Sequence, residues 1–173
     1  MKFRRSAFNI ILLLLMLPGI FGCKTTEEKR KSKEATTLRL HLETNVEGGG
    51  RETGVSILRA NPILVNVQRD HFLDEGDVEQ AFVVPALGGF AIKVQFNRHG
   101  TLVLDNYTTS YKGKRIGVFS QFGDARWLAA PVINQRIVNG QLVFTPDASY
   151  EEAERIVRGL NNVAKELQKK SKF

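Results

Sequence analysis

"SYEEAERIVRGLNNVAKEL" (residues 149–167) decides how the rest of the chain is read. Ser149 and Glu152 stand in the S-x-x-E spacing of a capping box, where each side chain accepts from the other residue's backbone N–H. Ala153, Ile156, Leu160, Val163 and Leu167 then recur at helical intervals, and Val157 and Ala164 widen the stripe. The spacing predicts an amphipathic helix over 150–168 that must bury one face.

The residues before it supply that partner surface. "TLRLHLETN" (37–45) alternates Leu38, Leu40 and Leu42 against Arg39, His41 and Glu43, the pattern of a half-buried strand. "VEGGGRETG" (46–54) reads as a loop; Gly48–Gly50 lack the spacing of a phosphate-binding loop. "VSILRA" (55–60) and "ILVNV" (63–67) are strands broken by Pro62, and "HFLDEGDV" (71–78) is a solvated turn. "VEQAFVVPAL" (78–87) and "FAIKVQF" (90–96) form a hairpin turning at Gly88-Gly89. "NRHGTLVLDNYTTSYKGK" (97–114) changes period and predicts a helix capped by Asn97, with Leu104 and Tyr107 on the sheet and an end near Gly113. "RIGVFSQF" (115–122) is a further strand, in which Ile116, Val118 and Phe119 supply apolar surface. "ARWLAAPVINQRI" (125–137) and "QLVFT" (141–145) read as two more, paired through Asn139-Gly140. The fold class that follows is α+β: two layers, a mostly antiparallel sheet covered by helices, with the C-terminal amphipathic helix as principal cover.

The front of the chain has a different character. Lys2, Arg4 and Arg5 precede an apolar stretch, and Pro18-Gly19 break any helix before Gly22, as in an export signal. The continuous apolar core, Ile10 to Leu17, covers about 12 Å, against ~30 Å for a hydrocarbon layer. "IFGC" (20–23) resembles the lipobox of bacterial lipoproteins, which implies cleavage between Gly22 and Cys23 and diacylglycerol on the Cys23 sulfur. A thiolate is the strongest side-chain nucleophile for such alkylation. The alternative is a free or buried thiol; an internal disulfide is excluded, because Cys23 is the single cysteine. The expected segments are a signal peptide at 1–22, a lipidated cysteine and flexible tether at 23–36, N-terminal strands at 37–77, a second region at 78–168 and a basic tail at 169–173. Such a chain would sit in the cell envelope, anchored to the inner or outer membrane and facing the periplasm or the outside.

Charge narrows the partners. The formal net charge is +7, and residues 1–22 contribute three basic and no acidic side chains, which leaves +4 for the remaining 151 residues. "KTTEEKRKSKEATT" (24–37) and "KKSKF" (169–173) hold much of it. No basic face interleaved with aromatics is evident, so nucleic acid is not an expected partner. Anionic lipid headgroups suit the basic tether, and plain solubility is the simpler use.

Catalytic patterns are sparse. His41, His71 and His99 are isolated in sequence, with His41 on the polar face of its strand. No H-E-x-x-H, G-x-S-x-G or cysteine pair occurs. Ser120, Ser149 and Thr108 would need a base beside them to act as nucleophiles, and caps or surface hydroxyls are the expected roles. Asp74, Glu75 and Asp77 fall short of a calcium-loop spacing. The expectation is a protein without enzymatic activity, cofactor or metal.

The second half resembles a known family. "IKVQFNRHGTLVLDNYTTSYKGKRIGVFSQFGDARWLAAPVINQRIVNGQLVFTPDASYEEAERIVRGLNNVAKEL" is similar to the head subdomain of the first large periplasmic domain of SecD and SecDF, accessory subunits of the bacterial protein-export translocase. Three parts carry the likeness, which covers roughly 78–168: a helix with Thr108 before Gly113-Lys114, the "APVINQRIVNG" segment, and the helix "SYEEAERIVRGLNN". Those subunits carry multiple membrane helices and a proton pathway that this sequence does not show, and the alanine-leucine-proline that follows the family helix is replaced by charged residues. The resemblance therefore implies at most a surface that touches emerging polypeptide.

Ala130, Pro131, Val132, Ile133, Asn134, Gln135 and Arg136 are the candidate partner-binding edge. Pro131 removes a backbone donor and so belongs at an edge or bulge, where an extended peptide can add by main-chain hydrogen bonds. Protection of that edge from aggregation is the alternative use. The expected function is a lipid-anchored, non-catalytic envelope protein that binds protein partners or exported polypeptide. The rival is a structural envelope lipoprotein with its partner site in 37–77, unrelated to export.

Overall fold

The computed structural model describes residues 26–45, 52–59 and 61–170. The expected leader, the Gly22–Cys23 junction, the Gly48–Gly50 loop and the end of the basic tail lie outside them. In chain order the described residues form α1 (Thr26–Lys31), β1 (Thr37–Leu42), β2 (Glu52–Ile57), β3 (Ile63–Gln68) and β4 (Leu73–Asp74). After a 3-10 turn (Glu75–Asp77) come β5 (Val78–Ala86), β6 (Gly89–Phe96) and α2 (Arg98–Ser110). β7 (Ile116–Gln121), β8 (Ala125–Ala129), β9 (Gln141–Phe144) and α3 (Tyr150–Lys170) complete the chain.

The class is α+β as expected, with the strands divided among three antiparallel sheets: β4-β1-β7-β8, β2-β3 and β5-β6-β9. The main core lies where α3 covers them. Leu38, Leu40 and Leu42 all face it and are at most 1% exposed. Ile116, Val118 and Leu128 extend this face, and Ile92, Val94, Phe96, Leu142 and Phe144 meet it from the three-stranded sheet. Burial of each such side chain contributes about 1.5–3 kcal/mol.

The capping box forms as predicted: Ser149 N–H donates to Glu152 Oε2 at 2.8 Å, and Glu152 N–H donates to Ser149 Oγ at 3.2 Å. Ala153, Ile156, Leu160 and Ala164 are buried, but the stripe stops there, since Val163 is half-buried and Leu167 is 39% exposed. Asn97 caps α2 through Gly100 N–H, Leu104 is buried, and Tyr107 stacks on Phe72 at 4.1 Å.

Four expectations change. First, β8 ends at Ala129, and 130–137 is not strand. A register shift between Val118 and Phe119 interrupts the β7–β8 ladder, and Pro131, which has no donor, bonds β7 through its carbonyl alone. Second, Asn139-Gly140 is no hairpin between β8 and β9: β8 pairs with β7, while β9 crosses to pair with β6. Gly140 has φ +66, and a Cβ there would lie 2.1 Å from Thr101 Oγ1, so this glycine serves a close passage over α2. The β5–β6 turn also moves by one, as Ala86 pairs with Gly89 and leaves Leu87-Gly88 at the tip. Third, residues 52–54, read as loop, open β2, which pairs with β3 along its length. Val55, Ile57, Val65 and Val67 of this hairpin form a second small core with Trp127 and Ala130. That layer covers the back of the four-stranded sheet, so His41 is buried at 8% exposure instead of lying on a solvent face.

Fourth, the tether is not featureless. Besides α1, Asn162 Nδ2 donates to the carbonyls of Lys31 and Glu34, both at 2.9 Å, and Arg158 Nε donates to Glu34 Oε2 at 2.7 Å. Thr36 is 2% exposed and lies so close to Gly159 that a Cβ there would be 2.1 Å from its Oγ1. Residues 31–36 thus form a strap along α3.

Candidate functional site

The segment from Pro131 to Asn139 and the start of β9 enclose a cleft of about 770 Å³, floored by Ile116 and Leu142. Six of the seven residues singled out from sequence, Pro131 to Arg136, line it, whereas Ala130 packs under the β2–β3 hairpin. Their backbone is only partly available. Ile116 N–H donates to Pro131 C=O at 2.9 Å, and Ile133 exchanges bonds with Gly113 and Lys114, both at 2.8 Å. Val132 bridges to Arg115. Ile133 is buried at 4% exposure and anchors the wall. Asn134 and Gln135 are exposed, and Val132 and Val138 offer exposed apolar surface.

Two links to α2 hold this wall. Thr108 Oγ1, itself donating to Leu104 C=O at 2.8 Å, accepts from Ile137 N–H at 2.9 Å. Arg136 donates through Nε and Nη2 to the two carboxylate oxygens of Asp105, the latter at 2.8 Å. These bonds to the guanidinium hold the Asp105 carboxyl below its ordinary range. The wall is therefore held in place by α2 itself.

β9, beside that segment, is an edge strand of the three-stranded sheet. Phe96 N–H donates to Gly140 C=O, which sets the phase of the antiparallel ladder: Leu142 and Phe144 bond to β6, while Gln141 and Val143 turn their backbone groups outward. Gln141 N–H is capped by Asn139 Oδ1 at 3.1 Å. The N–H and C=O of Val143 find no partner among the described residues, and Val143 lines the cleft.

The opposite edge of the same sheet is clamped at Ala81. Asn161 accepts from Ala81 N–H at 2.8 Å and donates to Ala81 C=O at 2.9 Å, as a neighbouring strand would. Pro85, two steps further than Val83 on the same outward phase, has no N–H to offer. Nothing in the sequence around Asn161 signalled this clamp, because its partner is 80 residues away.

The side chains considered for chemistry have structural partners. Ser120 Oγ donates to Thr37 C=O at 2.9 Å, and Ser149 and Thr108 are engaged as above. Asp74 caps the 3-10 turn, Glu75 Oε2 accepts from Leu38 N–H, and Asp77 Oδ1 accepts from His99 Nδ1–H at 2.7 Å. Among the described residues no three His, Cys, Asp or Glu side chains converge as metal ligands. His41 and His71, distant in sequence, do meet, with ring centroids 5.9 Å apart. No helix among the described residues is long and apolar enough to cross a membrane.

No curated protein matches the chain. Solved structures share its fold, two of them as follows. One, described as a membrane component SecDF that enhances protein export, is 19% identical with a TM-score of 0.55 over 84% of this chain and 71% of that one. The other, SecDF in a super-membrane-facing form, is 19% identical with a TM-score of 0.56 over 80% of this chain and 21% of that one. The model of the family described as SecDF, P1 head subdomain matches residues 54–164. The match begins earlier than the resemblance read from sequence and takes in the β2–β3 hairpin from Gly54 onward. By that match, the chain belongs to the SecDF P1 head subdomain family.

Proposed function

We propose that this chain is a non-catalytic binding domain of the cell envelope, held at a membrane by lipid on Cys23, and that it takes extended polypeptide into the cleft between residues 131–139 and β9. The observation that carries this reading is the outward N–H and C=O of Val143 inside a cleft of about 770 Å³. Backbone pairing at such an edge is independent of sequence, which suits a partner met while unfolded. Kinship with a membrane component that enhances protein export supports exported chains as the class of partner. The engaged hydroxyls and paired carboxylates support binding over catalysis.

Val143→Pro deletes the outward N–H and leaves the β6-facing bonds of Leu142 and Phe144 in place. Affinity for an extended, unfolded secretory polypeptide should fall about tenfold, with far-UV circular dichroism unchanged, as one main-chain bond and its ladder are lost. Unchanged affinity would refute capture at β9. A partner bound instead through the hairpin, where Leu64 is 77% exposed, would favour the site in 37–77.

A further inference from the structure

We infer that α1, the strap and the last turns of α3 form one docking face for an anionic bilayer surface, and that this face turns the cleft away from the membrane. The inference rests on the anchoring reading only in that a lipid on Cys23 would deliver the face to the surface: Cys23 lies three residues before Thr26, a reach of at most ~10 Å.

The two helices are joined at Asn162, whose side chain holds the carbonyls of Lys31 and Glu34. Asn162, Lys165 and Lys169 follow at helical spacing and share that side of α3. Lys29, Arg30 and Lys33 on the strap side and Lys165, Lys169 and Lys170 on the α3 side are all exposed. The acids of this region are largely matched internally: Glu27 pairs with Lys31 at 2.7 Å and Glu34 with Arg158 at 2.7 Å. α1 and these last turns also carry Glu28 and Glu166. The face is therefore net positive on a rigid mount, which complements anionic headgroups.

Its placement follows from β1 and β7. Thr37, where the strap enters, pairs with Gln121, whereas the cleft is floored by Ile116, which pairs with Leu42 at the other end of the sheet. Five strand steps from Gln121 to Ile116 span about 17 Å. A bilayer at the strap leaves the cleft on the far end.

The test uses residues 24–173, which contain every packed element described, without lipid. This chain should co-sediment with phosphatidylglycerol vesicles, not with phosphatidylcholine vesicles, and be released by salt. Lys29→Gln, Lys33→Gln and Lys169→Gln together should weaken binding about tenfold or more. A fluorophore on Ser32→Cys should be quenched by nitroxide lipid, and one on Val138→Cys should not. Equal binding to both lipids, full binding by the triple variant, or equal quenching at the two positions would overturn the inference. Mass spectrometry showing no lipid on Cys23 in cells would remove the anchor and leave these vesicle results untouched.

Discussion

His41 shows how one residue records the layering of the whole domain. Its ring lies between Trp127, at 5.1 Å between centroids, and His71, and its Nδ1–H donates to Gln68 C=O at 2.8 Å. Burial lowers its pKa below the ordinary 6.5; the Gln68 bond and Asp70 oppose this, and His71 and Arg39 add to it. The unfolded chain then takes up this proton more readily than the folded one. The contribution of His41 to stability is present above pH 6.5 and is lost as pH falls through its lower folded-state value. Chemical denaturation should therefore show stability falling from about pH 7 to about pH 5, with a shallower fall in His41→Gln; parallel curves would contradict this account. Strand alternation assigns His41 to solvent, and alternation by itself is right about the face. It carries no information on whether a second sheet covers that face, and here the β2–β3 hairpin does.

At the scale of elements, the chain announces its local units and conceals their partners. The capping box at Ser149, the Asn97 cap and the β5–β6 hairpin are legible because each is closed within a few residues. The union of β9 with β6 is not, because Asn139-Gly140 carries a genuine turn signal that the packing of Gly140 on Thr101 redirects. The cleft was half legible on the same grounds. Pro131 marked one wall of it, whereas the outward groups of Val143 follow from the phase of a ladder formed elsewhere. The strap was hidden by its composition, since polar residues 31–36 dock through hydrogen bonds and one small contact instead of apolar side chains. Gly159→Ala tests that contact. Alanine favours a helix by about 1 kcal/mol over glycine, yet its Cβ would meet Thr36 backbone N at 2.9 Å as well as the side chain. A backbone atom cannot rotate aside, so the strap should lift and amide hydrogen exchange over 32–36 should accelerate. Unaltered protection there would show that the strap is not seated as described.

The molecule as a whole is a head domain with the strap at one end of its main sheet and the cleft at the other. The family match sets the middle of the chain, 54–164, within the SecDF P1 head subdomain family, and the segments outside it are the strap, β1 and the termini. Conversion of Cys23 to serine should move the protein from the membrane fraction of cells to the soluble one or leave an unprocessed precursor, because two or more acyl chains are needed for stable attachment. Partitioning and processing identical to the parent would contradict lipid anchoring. The cleft is the centre of the account, and site-specific crosslinking reaches it directly. A photoreactive side chain at Val138, 60% exposed on the cleft wall, should capture an unfolded exported polypeptide, and one at Leu64, 77% exposed on the hairpin, should not. Capture at Leu64 and none at Val138 would contradict it.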